Sequence, residues 1–285
     1  FDGAQGYLIG PENRGLNCMF TFMNTARIGT AVQGLAASEI SFQGALSYAT
    51  ERLAMRSLSG PQYPDKNADP IIVHPAVRAM LMTQKAFSEG GRALAYFLAQ
   101  HVDIVESSND QEQQKHSDEL LAFLTPIAKA FLTESGNESA KHGVQVFGGH
   151  GFIVEHGMEQ IIRDARISTL YEGTTEIQSL DLLARKVLKS EGKLLKNMAD
   201  LIDQFICQQQ SNEVLKPYLE KLAELKQQWL SLTKSIAEKA KHNPEEIGAA
   251  SVDYLYFSSY VVFAYLWARM AQVAHEKLES GTQEE

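Results

Sequence analysis

The stretch that decides the fold runs from Phe147 to Gln178 and reads FGGHGFIVEHGMEQIIRDARISTLYEGTTEIQ. Its glycine-rich segment, Gly148 to Gly151, is a strong stop signal for the helix that precedes it. A short helix is then predicted from about His156 to Asp164. Beyond that helix, Glu172 stands directly before Gly173 and the start of another predicted helix. The stretch therefore predicts an α-helical region in which one carboxylate lies between two helices.

Three long helices are predicted before this stretch. Apolar residues at helical spacing favour helices from about Gly15 to Arg56, His74 to Val105 and Gln111 to Phe147. Pro126 predicts a bend in the third helix, because an interior proline removes a backbone donor. The proline-rich segment from Ser59 to Pro70 is predicted to be a loop. Three glycines in the first helix each cost about 1 kcal/mol relative to alanine and are tolerated if they allow close packing; they are Gly29, Gly34 and Gly44.

Helical patterns continue after the opening stretch. A helix is predicted over about Thr175 to Leu188, and beyond Lys189 the composition shifts to Lys, Glu, Gln and Leu. This part reads as a separate C-terminal helical bundle, broken near Ser211 and again near Asn243-Pro244. No strand is indicated after the first dozen residues. The sequence therefore predicts an all-α fold.

The aromatic run from Tyr254 to Trp267 is apolar enough to resemble a membrane helix. It is flanked by Asp253 and Arg269 and interrupted by Ser258 and Ser259. A membrane span needs about 20 apolar residues, and this run is shorter. We interpret it as a buried helix or a subunit contact, and we expect no integral membrane span.

Composition and charge narrow the class of protein. With 285 residues, 44% of them hydrophobic, the chain can bury a substantial core. Its net charge of −9, with basic residues scattered among acidic ones, predicts no nucleic acid partner. Cys18 and Cys207 lie far apart, which favours a reducing, cytoplasmic location over a disulfide framework. None of the eight histidines has a second ligand at metal spacing, so we predict no metal and interpret His150 as structural.

The first residues, FDGAQGYLIGPENRGLNCMF, lack an initiator Met and the regions of a signal peptide. They read as an extended stretch that runs into Pro11 and Gly15 without a helix cap. We therefore expect the chain to be a fragment of a longer protein.

The residues after Glu172 have the spacing of a capping box. In this motif Thr175 and Gln178 satisfy free backbone amides at a helix start, which places Glu172 just outside the helix N-terminus. For a lone glutamate, the simplest interpretation is that it complements the helix dipole, worth about 0.3 to 1 kcal/mol. The choice between this interpretation and a catalytic role depends on what the order of the surrounding motifs resembles.

This order resembles the acyl-CoA dehydrogenase family, in which a Phe- and Gly-rich turn, a short helix ending in Arg-Asp-Ala and Tyr-Glu-Gly-Thr follow one another. The resemblance covers about Phe1 to Leu188. It implies a four-helix up-and-down bundle followed by a second, smaller helical bundle. Residues 1–14 would be the tail of a middle β-domain, residues 15–188 the C-terminal helical domain, and residues 189–285 an additional domain typical of a larger bacterial subgroup.

The resemblance also implies an activity, the FAD-dependent α,β-dehydrogenation of a fatty acyl-CoA to the trans-2-enoyl-CoA in fatty acid β-oxidation. Glu172 would be the catalytic base, and its backbone amide would donate to the thioester carbonyl. Some members carry the base immediately before the arginine of the first helix, where this sequence has Ala26 before Arg27, so the pattern points to Glu172. Arg27, Asn24 and Gly173 would lie on the substrate side.

Matching positions for FAD follow from the same resemblance. Arg52 in YATER matches an arginine that reaches the FAD pyrophosphate, but the following LAMRSLSG departs from the family's Phe-Gly turn and leaves Arg52 and Arg56 as alternatives. Glu176 stands where many relatives have Gln or a small residue. The other implied cofactor residues are Gln145, Gly148, Gly149 and Thr174.

Implied partners are an acyl-CoA substrate, an electron-transfer flavoprotein as electron acceptor, and further copies of the chain in a homodimer or homotetramer that shares FAD between subunits. An acyl-CoA oxidase and a non-catalytic helical interaction module remain as alternatives. Because most of the flavin pocket lies in domains that this chain lacks, we expect the chain alone to bind FAD weakly and to be inactive.

Overall fold

The computed structural model describes residues 1–281, except for the side chains of residues 17, 20 and 21. Within these residues the fold is all-α, which confirms the predicted class, and the one β-feature is an isolated bridge between Leu53 and Pro70. Short 3-10 turns cover Ile71–Val73, Gly148–Phe152 and Val154–His156. The α-helices are α1 (Gly15–Glu51), α2 (Pro75–Ser107), α3 (Gln111–Phe147), α4 (Met158–Ser168), α5 (Thr175–Leu180), α6 (Lys193–Gln209), α7 (Lys216–Ala240) and α8 (Glu245–Glu279). A π-helical segment, Asp181–Leu188, continues α5.

The helix boundaries agree with the sequence to within two residues except at the ends of α1 and α4. The prediction that α1 reaches Arg56 is wrong, because the chain becomes extended at Arg52 and the N–H of Ile71 donates to the Arg52 carbonyl at 2.9 Å. The short helix α4 begins at Met158 rather than His156, since Gly157 before it adopts a left-handed φ of 70°. It ends at Ser168, four residues beyond the predicted Asp164. The end of α1 coincides with a tertiary hydrogen bond and the start of α4 with a local glycine turn, and hydrophobic spacing reports neither.

Helices α1 and α3 run parallel and touch along most of their lengths. A Cβ at Gly34 would lie 2.4 Å from the Leu132 carbonyl oxygen, so only glycine allows the two backbones to approach this closely. The buried hydroxyl of Ser41 donates to the Ser139 carbonyl at 2.7 Å and fixes the register. The expectation of close packing holds for Gly34 but is wrong for Gly29, which faces open space.

The C-terminal helices share a core with the first bundle. Phe263 on α8 packs edge-on against Phe131 on α3, with ring centroids 4.8 Å apart, and Phe131 meets Phe87 on α2 in the same way. Buried Trp229 on α7 donates to the Ser258 hydroxyl at 2.8 Å. One continuous cluster of buried apolar side chains therefore joins α2 and α3 to α7 and α8.

Of the helices that the structure describes, α8 is the one whose length and apolar composition would allow it to cross a membrane. Core helices of other proteins meet the same two conditions. Tyr254, Leu255, Val261 and Val262 on α8 are buried among neighbouring helices, which favours the interpretation of the aromatic run as a core helix.

Candidate active site

The turn that carries Glu172 has an unusual backbone. Glu172 adopts a left-handed φ of 57°, which non-glycine residues rarely do and which costs about 1 kcal/mol or more. Its side chain is half-buried, and the Oε2 atom is buried without a hydrogen-bond partner among the described residues. No described protein group accepts from its backbone N–H either. The turn therefore presents an unsatisfied carboxylate oxygen and an unsatisfied amide on the same residue.

Two buried side chains hold this turn in place. The Gln178 Nε2 atom donates to the Glu172 carbonyl at 3.0 Å, and the Lys129 ammonium donates to the Gly173 carbonyl at 2.6 Å. Gly173 has a φ of 92°, and a Cβ there would lie 2.4 Å from Gln178 Nε2. Glycine is therefore required at this position both for the backbone conformation and for access of the Gln178 amide.

The predicted capping box is wrong by one residue. Thr174, not Thr175, is the N-cap of α5, and its hydroxyl accepts from the Ile177 N–H at 3.4 Å. Gln178 is thereby free to bind the Glu172 carbonyl. Thr175 donates to the Glu134 carboxylate at 2.6 Å, which ties α5 to α3.

Glu176, rather than Glu172, is the carboxylate in the first turn of α5. Hydrogen bonds from its own N–H and from the Thr174 hydroxyl, aided by the charges of Arg166 and Lys129, hold the pKa of Glu176 below its usual value. The helix start is thus served by a different acidic residue, so the simplest interpretation of Glu172, as a dipole partner, loses its support.

Arg27 lies in the same cluster as the Glu172 turn. Its side chain is 12% exposed and pairs with Asp181 at 3.9 Å, while its Nε atom is buried with no hydrogen-bond partner among the described residues. Its charge also acts on Lys129, which contacts the turn. Asn24, three residues earlier on α1, is exposed.

Lys129 is a site residue that the sequence analysis missed. It is 0% exposed in the middle of α3. Burial lowers the pKa of Lys129 to about 8, and the charge of Arg27 adds to this, although the nearby carboxylates of Glu134, Glu172 and Glu176 act in the opposite direction. At neutral pH it is therefore still an ammonium ion. The signal was a single lysine inside the apolar run PIAKAFL, since lysine is rarely buried without a charged partner.

Four of the predicted cofactor residues lie elsewhere, at the far ends of α1 and α3. Tyr48 joins these ends by stacking on Phe147, with centroids 4.0 Å apart, and by a 2.7 Å hydrogen bond to His150. Since a helix rises 1.5 Å per residue, this end of α1 is roughly 38 Å from Arg27. The residues at this end are Arg52, Gln145, Gly148 and Gly149.

The two candidate arginines differ in what their side chains contact. The Arg56 guanidinium donates to the Tyr63 carbonyl at 3.0 Å and pairs with buried Asp69 at 3.2 Å, so it holds the loop between α1 and α2. Arg52 is exposed, and its side chain makes no hydrogen bond or ion pair with the described residues. Gly148, with a φ of 60°, and Gly149 both have open space where a Cβ would lie.

Outside the Glu172 turn, the described residues contain no cluster of metal ligands, and the groove between α2 and α8 has no carboxylate. No group of three or more potential metal ligands occurs among residues 1–281. A groove of about 450 Å³ lies between α2 and α8, lined by Tyr96, Phe97 and Arg269 among others, and shares no residue with the turn. This groove contains no carboxylate, whereas the turn brings together a carboxylate, an arginine and a buried lysine.

The helical bundle therefore carries a strained turn whose carboxylate has a buried oxygen with no partner among the described residues, and such a carboxylate is suited to accept a proton. The family profile described as "Acyl-CoA dehydrogenase, C-terminal domain" matches residues 13–188, and the profile described as "Acetyl-CoA dehydrogenase C-terminal like" matches residues 194–285. The chain therefore belongs to the acyl-CoA dehydrogenase family.

Two relatives cover almost the whole chain. The 3-methylmercaptopropionyl-CoA dehydrogenase of Ruegeria pomeroyi is 37% identical over 99% of this chain and 47% of its own length. A broad-specificity linear acyl-CoA dehydrogenase of Mycobacterium tuberculosis is 31% identical over 98% of this chain and also 47% of its own length. The chain thus spans about half the length of the curated relatives it matches.

Solved structures share the fold. ACDH-11 of Caenorhabditis elegans in complex with C11-CoA has a TM-score of 0.77 and 21% identity, over 90% of this chain and 41% of that one. An acyl-CoA dehydrogenase complexed with FAD from Bacillus anthracis has a TM-score of 0.70 and 21% identity, over 92% of this chain and 44% of that one.

Proposed function

We propose that this chain supplies the catalytic base of an FAD-dependent acyl-CoA dehydrogenase, which converts a fatty acyl-CoA into the trans-2-enoyl-CoA. The observation that carries the proposal is the Glu172 carboxylate, whose buried Oε2 atom has no partner among the described residues. An unsatisfied buried carboxylate is costly unless a ligand or a proton completes it. The α-proton of an acyl thioester is the proton that the family's chemistry would deliver there.

Glu172 performs two tasks in this mechanism. Its carboxylate accepts the α-proton, and its backbone N–H donates to the thioester oxygen, on which charge grows as the proton leaves. The missing protein partners support this pairing, because the amide and the Oε2 atom of this left-handed residue are both left for a ligand to satisfy. Arg27 adds a nearby positive charge, and Asn24 and Gly173 complete the substrate side.

The residues available to FAD fit an anionic, extended cofactor. When bound, FAD accepts the hydride that leaves the β-carbon of the substrate. Arg52, with its unpartnered guanidinium, is the better candidate for the pyrophosphate. The Arg56 guanidinium already binds Asp69 in the loop between α1 and α2. Gln145 and the open backbone of Gly148 and Gly149 offer further contacts.

Thr174 and Glu176 would contact cofactor at the catalytic turn, while the Arg52 end lies roughly 38 Å away along α1. This separation supports a homodimer or homotetramer in which the two ends of one chain serve the FAD of different subunits. We further propose that an electron-transfer flavoprotein takes the electrons. Rapid reoxidation of the substrate-reduced enzyme by oxygen, with peroxide release, would identify an acyl-CoA oxidase instead.

Exchange of the substrate's α-proton tests the base directly. The holoenzyme is incubated in D₂O with a 3-thia-acyl-CoA, in which sulfur replaces the β-carbon so that no β-hydride is available. We expect Glu172→Gln to lower the exchange rate by about 10²- to 10⁴-fold, the usual contribution of a general base. Glu220→Gln, at an exposed position on α7, is the matched control. Exchange that persists in Glu172→Gln would overturn the assignment.

A further inference from the structure

We propose that Lys129 is the positioning residue of the active site: it clamps the Glu172–Gly173 turn through the Gly173 carbonyl, and its positive charge acts on the Glu172 carboxylate. This inference rests on the proposed function of Glu172.

The geometry of the turn carries the first half of the proposal. Two consecutive carbonyls, those of Glu172 and Gly173, are held by Gln178 and Lys129 respectively. With both peptide planes fixed, the conformation of Gly173 and the direction of the Glu172 backbone are fixed as well. The Lys129 contact is the shorter of the two, at 2.6 Å, and comes from α3, the helix at the centre of the bundle. The strained turn is therefore anchored to a helix that is buried along much of its length.

The burial of Lys129 carries the second half. A lysine that is 0% exposed destabilises the folded state unless its charge interacts with a neighbouring group. A Leu or Met would fill the same space at a lower cost in folding free energy. The Gly173 carbonyl satisfies one of its three donors. What remains is an ammonium charge in a low-dielectric interior, where it acts on neighbouring ions more strongly than in water.

The charges around Lys129 come from every element that forms this cluster. Glu134 lies one turn along α3, Glu172 is on the turn, Glu176 is on α5 and Arg27 is on α1. From α8, Tyr256 is within electrostatic range of Glu134 and stays neutral, because burial and the carboxylates raise its pKa to about 12.

Two of the three carboxylates around Lys129 have other partners: Glu134 accepts from Thr175, and Glu176 from Thr174 and its own amide. Glu172 has a buried oxygen with none. Among these carboxylates, Glu172 is therefore the one with a buried oxygen that no protein donor satisfies, and the Lys129 charge acts on it without a competing hydrogen bond at that oxygen.

The test measures α-proton exchange from a 3-thia-acyl-CoA by the holoenzyme across a range of pH. The variants are Lys129→Met, Lys129→Gln and Lys129→Arg, with Lys115→Met as an exposed lysine control on the same helix. Loss of the ammonium charge makes the carboxylate harder to ionise. We therefore expect the acidic limb of the rate profile to move to higher pH by about one unit or more in both neutral variants.

We also expect the exchange rate at neutral pH to fall by about tenfold or more in the neutral variants, with a smaller change in KM. Lys129→Arg keeps the positive charge, so the acidic limb of its rate profile should stay in place even if the larger guanidinium group slows the reaction. A merely structural lysine would lower stability without moving the limb. If the limb is unmoved in whichever neutral variant folds, the proposal is overturned.

Failure of the underlying function is separable from failure of this inference. If the unmodified holoenzyme shows no exchange, or if Glu172→Gln still exchanges, then Glu172 is not the base and the Lys129 role falls with it. If Glu172→Gln abolishes exchange while Lys129→Met and Lys129→Gln match the unmodified enzyme, only the positioning role is wrong.

Discussion

Gly173 has a backbone and surroundings that tolerate no side chain. Its φ of 92° is strained for any other residue, and a Cβ would lie 2.4 Å from the amide that holds Glu172. We expect Gly173→Ala to lower the free energy of unfolding by about 1 to 3 kcal/mol, through backbone strain and loss of the Gln178 contact. Urea denaturation measures the change.

The control for this substitution is Gly248→Ala, on an exposed face of α8 where a Cβ meets no atom within 4 Å. Because alanine is the better helix former, this variant should gain up to about 1 kcal/mol. Equal stability of Gly173→Ala and the unmodified protein would show that the turn relaxes without the glycine.

At the scale of single residues, the sequence predicted those site residues that belong to local sequence motifs and missed the contacts between distant parts of the chain. The order of motifs singled out Glu172 and Arg27 as site residues, and in the structure the charges of both act on Lys129. It could not predict that Gln178 turns back to the Glu172 carbonyl, since Thr-x-x-Gln reads equally well as a capping box. Lys129 was missed because its partner is 44 residues away in the chain.

Among the connecting elements, the loop between α1 and α2 depends on one buried carboxylate. Asp69 is 0% exposed and accepts from the backbone N–H groups of Ser57, Gln62 and Tyr63 at 2.8 to 3.0 Å. Burial alone would raise the pKa of Asp69, but these three amides and the Arg56 side chain outweigh it and lower the pKa below 3.8.

Because the folded pKa of Asp69 is below the unfolded value, its stabilising effect is present above pH 3.8 and is lost as the pH falls through the folded pKa. We expect Asp69→Asn to remove this acid-dependent component. At neutral pH it should also speed hydrogen exchange at the amides of Ser57, Gln62 and Tyr63. Asp65→Asn, at an exposed position in the same loop, should change neither. Unchanged exchange in Asp69→Asn would show that the loop is held by other contacts.

Element positions were more predictable than their ends. The bounds of α3 were predicted as observed, because Asp110 caps its start by accepting from Glu112 and Gln113, and a glycine run ends it. The end of α1 was missed by five residues, since apolar residues at helical spacing continue through Leu53 and Met55 although the chain has left the helix. What ended the helix was a tertiary bond, from the Ile71 N–H to the Arg52 carbonyl.

For the whole molecule, the continuous core has a consequence for stability. Trp229 and Trp267, the protein's two tryptophans, both lie on C-terminal helices, whereas far-UV circular dichroism reports on every helix. If the core is shared, the fluorescence and dichroism transitions in urea should coincide. Two separated transitions would mean that the C-terminal helices fold independently of the first bundle.

Phe263 tests the same claim by substitution, since its buried ring joins α8 to Phe131 on α3. Phe263→Ala leaves a cavity between the two parts of the chain and should cost about 3 to 5 kcal/mol. Because the cavity lies in a shared core, both probes should shift together by the same amount. Leu278→Ala, at a position 77% exposed near the end of α8, should shift neither. A shift confined to tryptophan fluorescence would locate the loss in the C-terminal helices alone, and the Glu172 turn would then be held through Lys129 of α3 independently of the helices packed behind it.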